Sequence, residues 1–257
     1  KHAQALPYKG TIATTSDGRF ILVQNATPAT SVSVVDRLAG KFVAEITTPG
    51  CWIIVPYKSD PRRFATLCGD GALLSVTLDE SGQPVARQRS RPFFDPDEDP
   101  LFVQTVNDGD RHFFVSFKGQ VHGVDLAGAE PTFLQSWSLT SAKEQKQGWR
   151  PGGYQPLGLH SPSGRLYVGV HPKGHEGSHK EPAREIWAFD LKSQKRLQRV
   201  PGNAAIALAV SRGAASPRLF AYDGLKSAIV AYDALPRLAQ RGRLEAVGES
   251  PTLMELQ

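Results

Sequence analysis

The stretch "RFATLCGDGALLSVTLD" (63–79) is an apolar run, a Gly-Asp-Gly turn and a second run closing on aspartate, the pattern of a β-hairpin. The same order returns in "RFILVQNATPATSVSVVD" (19–36) and in "RHFFVSFKGQVHGVD" (111–125), which turns at Lys118-Gly119. It returns again in "RLYVGV…EIWAFD" (165–190) and "RLFAYDGLKSAIVAYD" (218–233). Each hairpin opens with arginine, at 19, 63, 111, 165 and 218, so the spacings are 44, 48, 54 and 53. Each closes with aspartate, at 36, 79, 125, 190 and 233.

Another strand-like run precedes each arginine: "GTIATTS", "CWIIVPY", "LFVQTVN", "YQPLGLH" and "AAIALAVS". A fourth, more polar run such as "KFVAEI" or "KRLQRV" follows most of the aspartates. Four strands per unit at a period of roughly 45–50 residues predict an all-β fold, a β-propeller. A β-sandwich also has many short strands, but it does not require one four-part order five times. The small, apolar first strands are expected to line a central channel, and the lysine- and arginine-rich fourth strands to face solvent at the rim. The tail "SPTLMELQ" (250–257) is expected to be the first strand of a sixth unit, giving about five blades plus one strand.

The chain has 257 residues, 40% of them hydrophobic, ample for a sizeable core. No run of about eighteen apolar residues occurs, so no membrane insertion is expected. The chain starts at Lys1 with neither methionine nor a signal-like stretch, so a mature form or a fragment is expected. Net charge is +5. Yet "RQRSR" (87–91) is followed almost at once by "DPDEDP" (95–100), and nucleic-acid binding needs a stripe of one sign. A basic body favours an acidic partner through electrostatic steering. Cys51 and Cys68 are either two buried thiols or one bond. A bond would be worth about 3 kcal/mol and would place the protein outside a reducing cytosol.

Within "HPKGHEGSHKEP" (171–182), "HEGSH" fits H-E-x-x-H, the zinc-hydrolase pattern. That chemistry needs both histidines on one face of a regular helix. Pro172, Gly174, Gly177 and Pro182 crowd the stretch, so it is expected to be a long loop between two strands, without metal. The excursion is either an idle insertion or a contact surface on which His179, Lys180 and Arg184 offer donors. There is no G-x-S-x-G, P-loop or C-x-x-C, and "GDGALL" (69–74) lacks the third glycine of a dinucleotide fingerprint. Ser161 and Ser163 lie near His160, but adjacency in a turn does not make a triad. Asp95, Asp97, Glu98 and Asp99 could hold calcium, although Pro96 and Pro100 favour a plain exposed loop.

The stretch "QGWRPGGYQPLGLHSPSGRLYVGVHPKGHEGSHKEPAREIWAFD" (147–190) resembles the heavy chain of bacterial amine dehydrogenases that use tryptophan tryptophylquinone. It is closer to the aromatic amine dehydrogenases than to the methylamine dehydrogenases. "TTSDGRFILVQNATPATSVSVVD" (14–36), "GCWIIVP" (50–56), "CGDGALLSVTL" (68–78), "EDPLFV" (98–103) and "RVPGNAAIAL" (199–208) resemble the same heavy chain. The resemblance implies one seven-bladed propeller domain over 1–257, lacking about two N-terminal blades. It implies pairing with a small, disulfide-rich light chain in a periplasmic α2β2 assembly. The light chain would carry both the quinone and the catalytic base, leaving no cofactor, metal or catalytic residue in this chain. Primary, and by this resemblance aromatic, amines would leave as aldehyde plus ammonia, and electrons would pass to an azurin- or amicyanin-like copper protein. Cys51 and Cys68 match the family's heavy-chain disulfide.

The family's channel-lining aromatic falls in the portion without a counterpart here, so no substrate-contacting residue is assigned. His175 departs from the family stretch, whereas Gly177, Ser178, His179 and Lys180 keep to it. Trp149, Arg150, His179 and Lys180 are the expected light-chain contacts. For Trp149 a ring packed between blades is the alternative. Two other functions compete: an orphan propeller that binds without catalysing, and a propeller hydrolase with a channel metal. The latter needs acids or histidines on first strands that have almost none.

Overall fold

The computed structural model describes residues 8–211, 216–248, 251 and 253–256. The chain divides into two compact units. One holds Lys1–Thr105, Gly109–Phe114 and His122–Gln135, and the other Val106–Asp108, Val115–Val121 and Ser136–Gln257.

In the first unit, β1 (Ile12–Thr14), β2 (Phe20–Asn25), β3 (Ser31–Asp36) and β4 (Lys41–Thr47) form one four-stranded sheet in sequence order. A second follows the same plan with β5 (Cys51–Pro56), β6 (Arg63–Cys68), β7 (Leu73–Leu78) and β8 (Pro84–Arg89). This repeated four-stranded meander is the blade pattern that the sequence predicts. Period-2 alternation buries Phe20, Leu22, Val32, Val34 and Ile46 against Ile54, Phe64, Val76 and Leu78. A further cluster joins Val55, Tyr57, Leu67 and Leu73 to Leu101, Phe114, Val124 and Leu126. Of the two fourth strands, β8 is exposed at every residue after Pro84, whereas β4 buries Ala44 and Ile46 on either side of exposed Glu45.

Next come β9 (Val106–Asp108), β10 (Arg111–Val115), β11 (Gln120–Asp125), β12 (Thr132–Phe133) and β13 (Trp137–Ser138). The expected first strand "LFVQTVN" (101–107) is thus cut back to β9. Pro100 brings no N–H to a ladder, and the acidic turn before it is closed on itself by Asp95.

The second unit carries α1 (Ala142–Lys146), β14 (Arg150–Pro151), β15 (Leu157–His160), β16 (Arg165–His171), β17 (Ala183–Asp190) and β18 (Arg196–Val210). It ends with β19 (Arg218–Asp223), β20 (Ala228–Asp233) and β21 (Ala239–Leu244). "KRLQRV" and "AAIALAVS" are expected as separate strands, yet they are one strand of 15 residues. The first part of β18 pairs with β17 and the last part with β19, so two meanders are fused into one sheet. Tyr167, Ile186, Leu208, Leu219, Val230 and Tyr232 fill its core.

The tail corrects another expectation, because Pro251 and residues 253–256 form no strand. Gln155 instead holds the main chain of Met254 with both ends of its amide, at 3.0 and 3.1 Å. The other expected tail residues, 250, 252 and 257, lie outside the described residues.

The arginine and aspartate repeats are linked in part, since Arg19 pairs with the closing Asp36 of its own hairpin. Asp36, Asp79, Asp125 and Asp190 each accept backbone N–H groups from the turn that follows, which closes the way into the fourth strand. Arg63 and Arg165 reach forward to main-chain carbonyls of the next meander, Arg63 to Gly128 and Ala129 and Arg165 to Pro236. Arg218 pairs instead with Asp233 of its own hairpin.

Candidate functional site

Trp149, Arg150, His179 and Lys180 all lie in the second unit, on two segments that hydrogen-bond to each other. Arg150 is directly opposite His171 and Pro151 opposite Val170. The pairing continues past both strands: Lys173 N donates to Gln147 O (3.0 Å) and Gly174 N to Gly148 O (2.7 Å). Gly153 N donates to His179 O at 3.0 Å. Glycines allow this approach. A Cβ on Gly174 would stand 2.5 Å from Cδ of Arg150, and one on Gly148 2.9 Å from the Gly174 nitrogen. The loop after β16 is therefore built onto the segment before β15. Its one helical element is a 3-10 turn, Ser178–Lys180, so the zinc helix is not formed.

Trp149 does not stand free. Its ring lies 5.2 Å from that of Trp187, which is fully buried, and Trp187 lies 6.3 Å from Phe189. The Arg199 guanidinium covers both indoles, at 5.0 and 4.9 Å, and Arg196 covers Trp187 at 4.3 Å. Two carboxylates fix those cations. Glu185 takes Arg199 in a two-pronged pair (2.7 and 3.1 Å) and accepts the Trp187 indole N–H at 2.6 Å. Glu144 binds Arg196 (2.8 Å) and Arg199 (3.1 Å). Ser141 holds Glu144 through a capping box at the start of α1. Burial works to raise the Glu144 carboxyl, but Arg196 and the Ser141 donors outweigh it and leave it below the usual carboxylate range. Glu185 is likewise opposed by burial and held down by Arg199 and Trp187.

His179 stacks on Phe117 with centroids 4.3 Å apart and planes 12° apart. Burial, with Lys180 adding to it, pushes its pKa down. Lys180 is exposed, with Nζ 6.0 Å from the Tyr154 ring centre. Trp149 and His179 are thus anchored rings, and Lys180 is the outward charge. Residue-by-residue reading missed Glu144, Glu185, Arg196, Arg199 and Trp187. The spacing S-x-x-E at Ser141 and Glu144 was the available signal; the pairing of β17 with β18 had none.

Elsewhere the chemistry is structural. His160 Nδ1 meets Ser163 Oγ at 2.7 Å within the turn, and Ser161 donates to the carboxylate of Asp108. Asp95 spends its carboxylate on the N–H groups of Asp97 and Glu98 (3.0 and 3.2 Å), as in a plain turn. Among the described residues no group of three or more His, Cys, Asp or Glu could hold a metal. Cys51 and Cys68 are bonded, sit directly opposite each other on β5 and β6, and are fully buried.

A family model described as methylamine dehydrogenase heavy chain (MADH) matches residues 6–256. The chain is 25% identical over 241 residues to a methylamine dehydrogenase heavy chain of Methylobacillus flagellatus, covering 93% of this chain and 59% of that one. It is 27% identical over 229 residues to that of Methylorubrum extorquens, covering 88% and 54%. The chain therefore spans under two thirds of the length of these relatives. The fold is similar to the Cps50 (Swd1) β-propeller domain of Myceliophteria thermophila, with a TM-score of 0.59 and 9% identity over 96% of this chain and 75% of that one. A functionally unknown protein from Desulfotomaculum acetoxidans also has a TM-score of 0.59, with 12% identity over 89% and 69%. At such identities the likeness concerns the fold alone.

Proposed function

This chain belongs to the methylamine dehydrogenase heavy-chain family, and from that premise we propose that it is the large subunit of a periplasmic amine dehydrogenase. The observation that carries the proposal is the family match, which runs through nearly the whole chain. The reaction is oxidation of a primary amine to aldehyde and ammonia, with electrons leaving to an azurin- or amicyanin-like copper protein. An aromatic amine is the proposed substrate, because residues 147–190 resemble the aromatic amine dehydrogenases. The fully bonded, buried Cys51–Cys68 pair supports an oxidising compartment. Among the described residues no helix is long and apolar enough to cross a membrane.

Tryptophan tryptophylquinone, carried by the light chain, supplies the electrophile and the electron sink. Three of this chain's four tryptophans are held in packing contacts of its own. Trp187 is fully buried with its N–H held by Glu185, and Trp137 and Trp149 pack on Phe189, Trp187 and Arg199. This chain's own task is to hold the partner. Trp149, Arg150, His179 and Lys180 are the proposed contacts, kept in place by the paired segments around them. Fixed rings lose little freedom on docking, which lowers the entropic cost of association.

Co-expression of the full-length protein with a small cysteine-rich chain tests the proposal. The pair is expected to co-purify and to turn over tyramine and phenethylamine faster than methylamine. Faster turnover of methylamine would overturn the aromatic assignment. Failure of every cysteine-rich candidate to co-purify would favour a propeller that binds without catalysing.

A further inference from the structure

The pairing of β17 with β18 slips between Ala183, opposite Ala205, and Glu185, opposite Pro201. The extra residues on β18 include Asn203 and Ala204, both in the left-handed region at φ 50° and 55°. Beside this bulge lies a cleft of about 450 Å³ lined by Arg184, Glu185, Arg199, Val200, Pro201 and Asn203.

Its donors and acceptors do not balance. Arg184 is exposed and has no hydrogen bond or ion pair to any described residue, so its N–H donors face solvent and are open to a ligand. Arg199 uses Nε and Nη2 on Glu185 and Nη1 on Glu144, which leaves one N–H on each terminal nitrogen. Both oxygens of Glu185 already accept, from Arg199 and from Trp187. Asn203 turns its amide N–H to Tyr232. Two guanidinium groups therefore have spare donors beside Val200 and Pro201, and Pro201 has no N–H of its own.

We propose that this cleft binds a carboxylate side chain on an acidic segment of a partner polypeptide, with Arg184 as the hook. A planar guanidinium fork fits a planar carboxylate through two parallel hydrogen bonds. An apolar residue beside the acid would cover Val200 and Pro201. The chain's net charge of +5 draws such a segment in. The inference does not depend on the amine dehydrogenase assignment, since it rests on the cleft's own donors.

The test is fluorescence anisotropy of the full-length protein with a fluorescein-labelled peptide of alternating glutamate and leucine. The protein is expected to bind it and to bind the glutamine version about tenfold more weakly. Arg184→Glu is expected to weaken the glutamate peptide about tenfold or more, and Arg184→Lys severalfold, because an ammonium cannot form the fork. Equal binding of both peptides, or an unchanged affinity in Arg184→Glu, would overturn the proposal. So would full displacement by inorganic phosphate at equal ionic strength, which would mark a general anion site.

Discussion

Trp187 donates its indole N–H to the carboxylate of Glu185, two residues back on β17 and 2.6 Å away. Residues at this spacing share one face of a strand, so the largest fully buried side chain of the second unit brings its own acceptor. Arg199 then closes on the same carboxylate from β18, and Glu144 ties in α1. Replacing the carboxylate by an amide removes the charge and one accepting oxygen, which should leave the Trp187 donor and the Arg199 guanidinium short of a partner between them. Glu185→Gln is expected to cost about 1–2 kcal/mol and Trp187→Ala about 3–5 kcal/mol in denaturant unfolding. A Glu185→Gln protein as stable as the parent would show that the network holds nothing together.

His112 is buried on β10 with neither ring nitrogen hydrogen-bonded. Burial, reinforced by Lys58, pushes it down to about 4, while Asp110 and Asp125 pull the other way. The folded value is below that of the unfolded chain, so between roughly pH 6.5 and 4 the unfolded state holds the extra proton. Stability should therefore fall as pH drops through that window, by at most about 3 kcal/mol from this group. Unfolding titrations of the parent and of His112→Leu check this: the variant should lose that part of the slope. Identical slopes would contradict it.

The Cys51–Cys68 bond closes a loop with a sequence separation of 17. Replacing both cysteines by serine is expected to cost about 3 kcal/mol in unfolding free energy. Both sulfurs are sealed from solvent, so a mild reductant should leave the native protein bonded until denaturant is added. Reduction of the native protein at the rate of the unfolded one would contradict the burial.

The turn within "GDGALL" gives a backbone test. Gly71 has φ +83°, and a Cβ there would stand 2.1 Å from the carbonyl oxygen of Phe94. Gly109 has φ +61° with open space around it. Gly71→Ala should destabilise by more than about 2 kcal/mol and Gly109→Ala by only about 1 kcal/mol. Equal effects would mean that the close passage of Phe94 over the turn is wrong.

What could be read in the sequence followed from local rules. Alternation, turn residues and the closing aspartates act within a few positions, so the hairpins and the loop at 171–182 were legible. The forward reach of Arg63 to Gly128 and of Arg165 to Pro236 was not, because a repeat of arginines does not say what each one touches. The fusion of "KRLQRV" with "AAIALAVS" was hidden because Pro201 and Gly202 read as a break, yet Pro201 keeps its register opposite Glu185 and the extra residues after it are absorbed in a bulge. Trp149 shows the same limit. Its neighbours Trp187 and Arg199 come from β17 and β18, and only the pairing of those strands brings them together.

The most direct test of the central claim is the visible spectrum of the full-length protein co-purified with its small cysteine-rich partner. The account predicts a coloured complex whose visible absorption is bleached by a stoichiometric primary amine and restored by an oxidised blue copper protein. A stable pair that is colourless, or whose colour ignores tyramine, phenethylamine and methylamine alike, would contradict it.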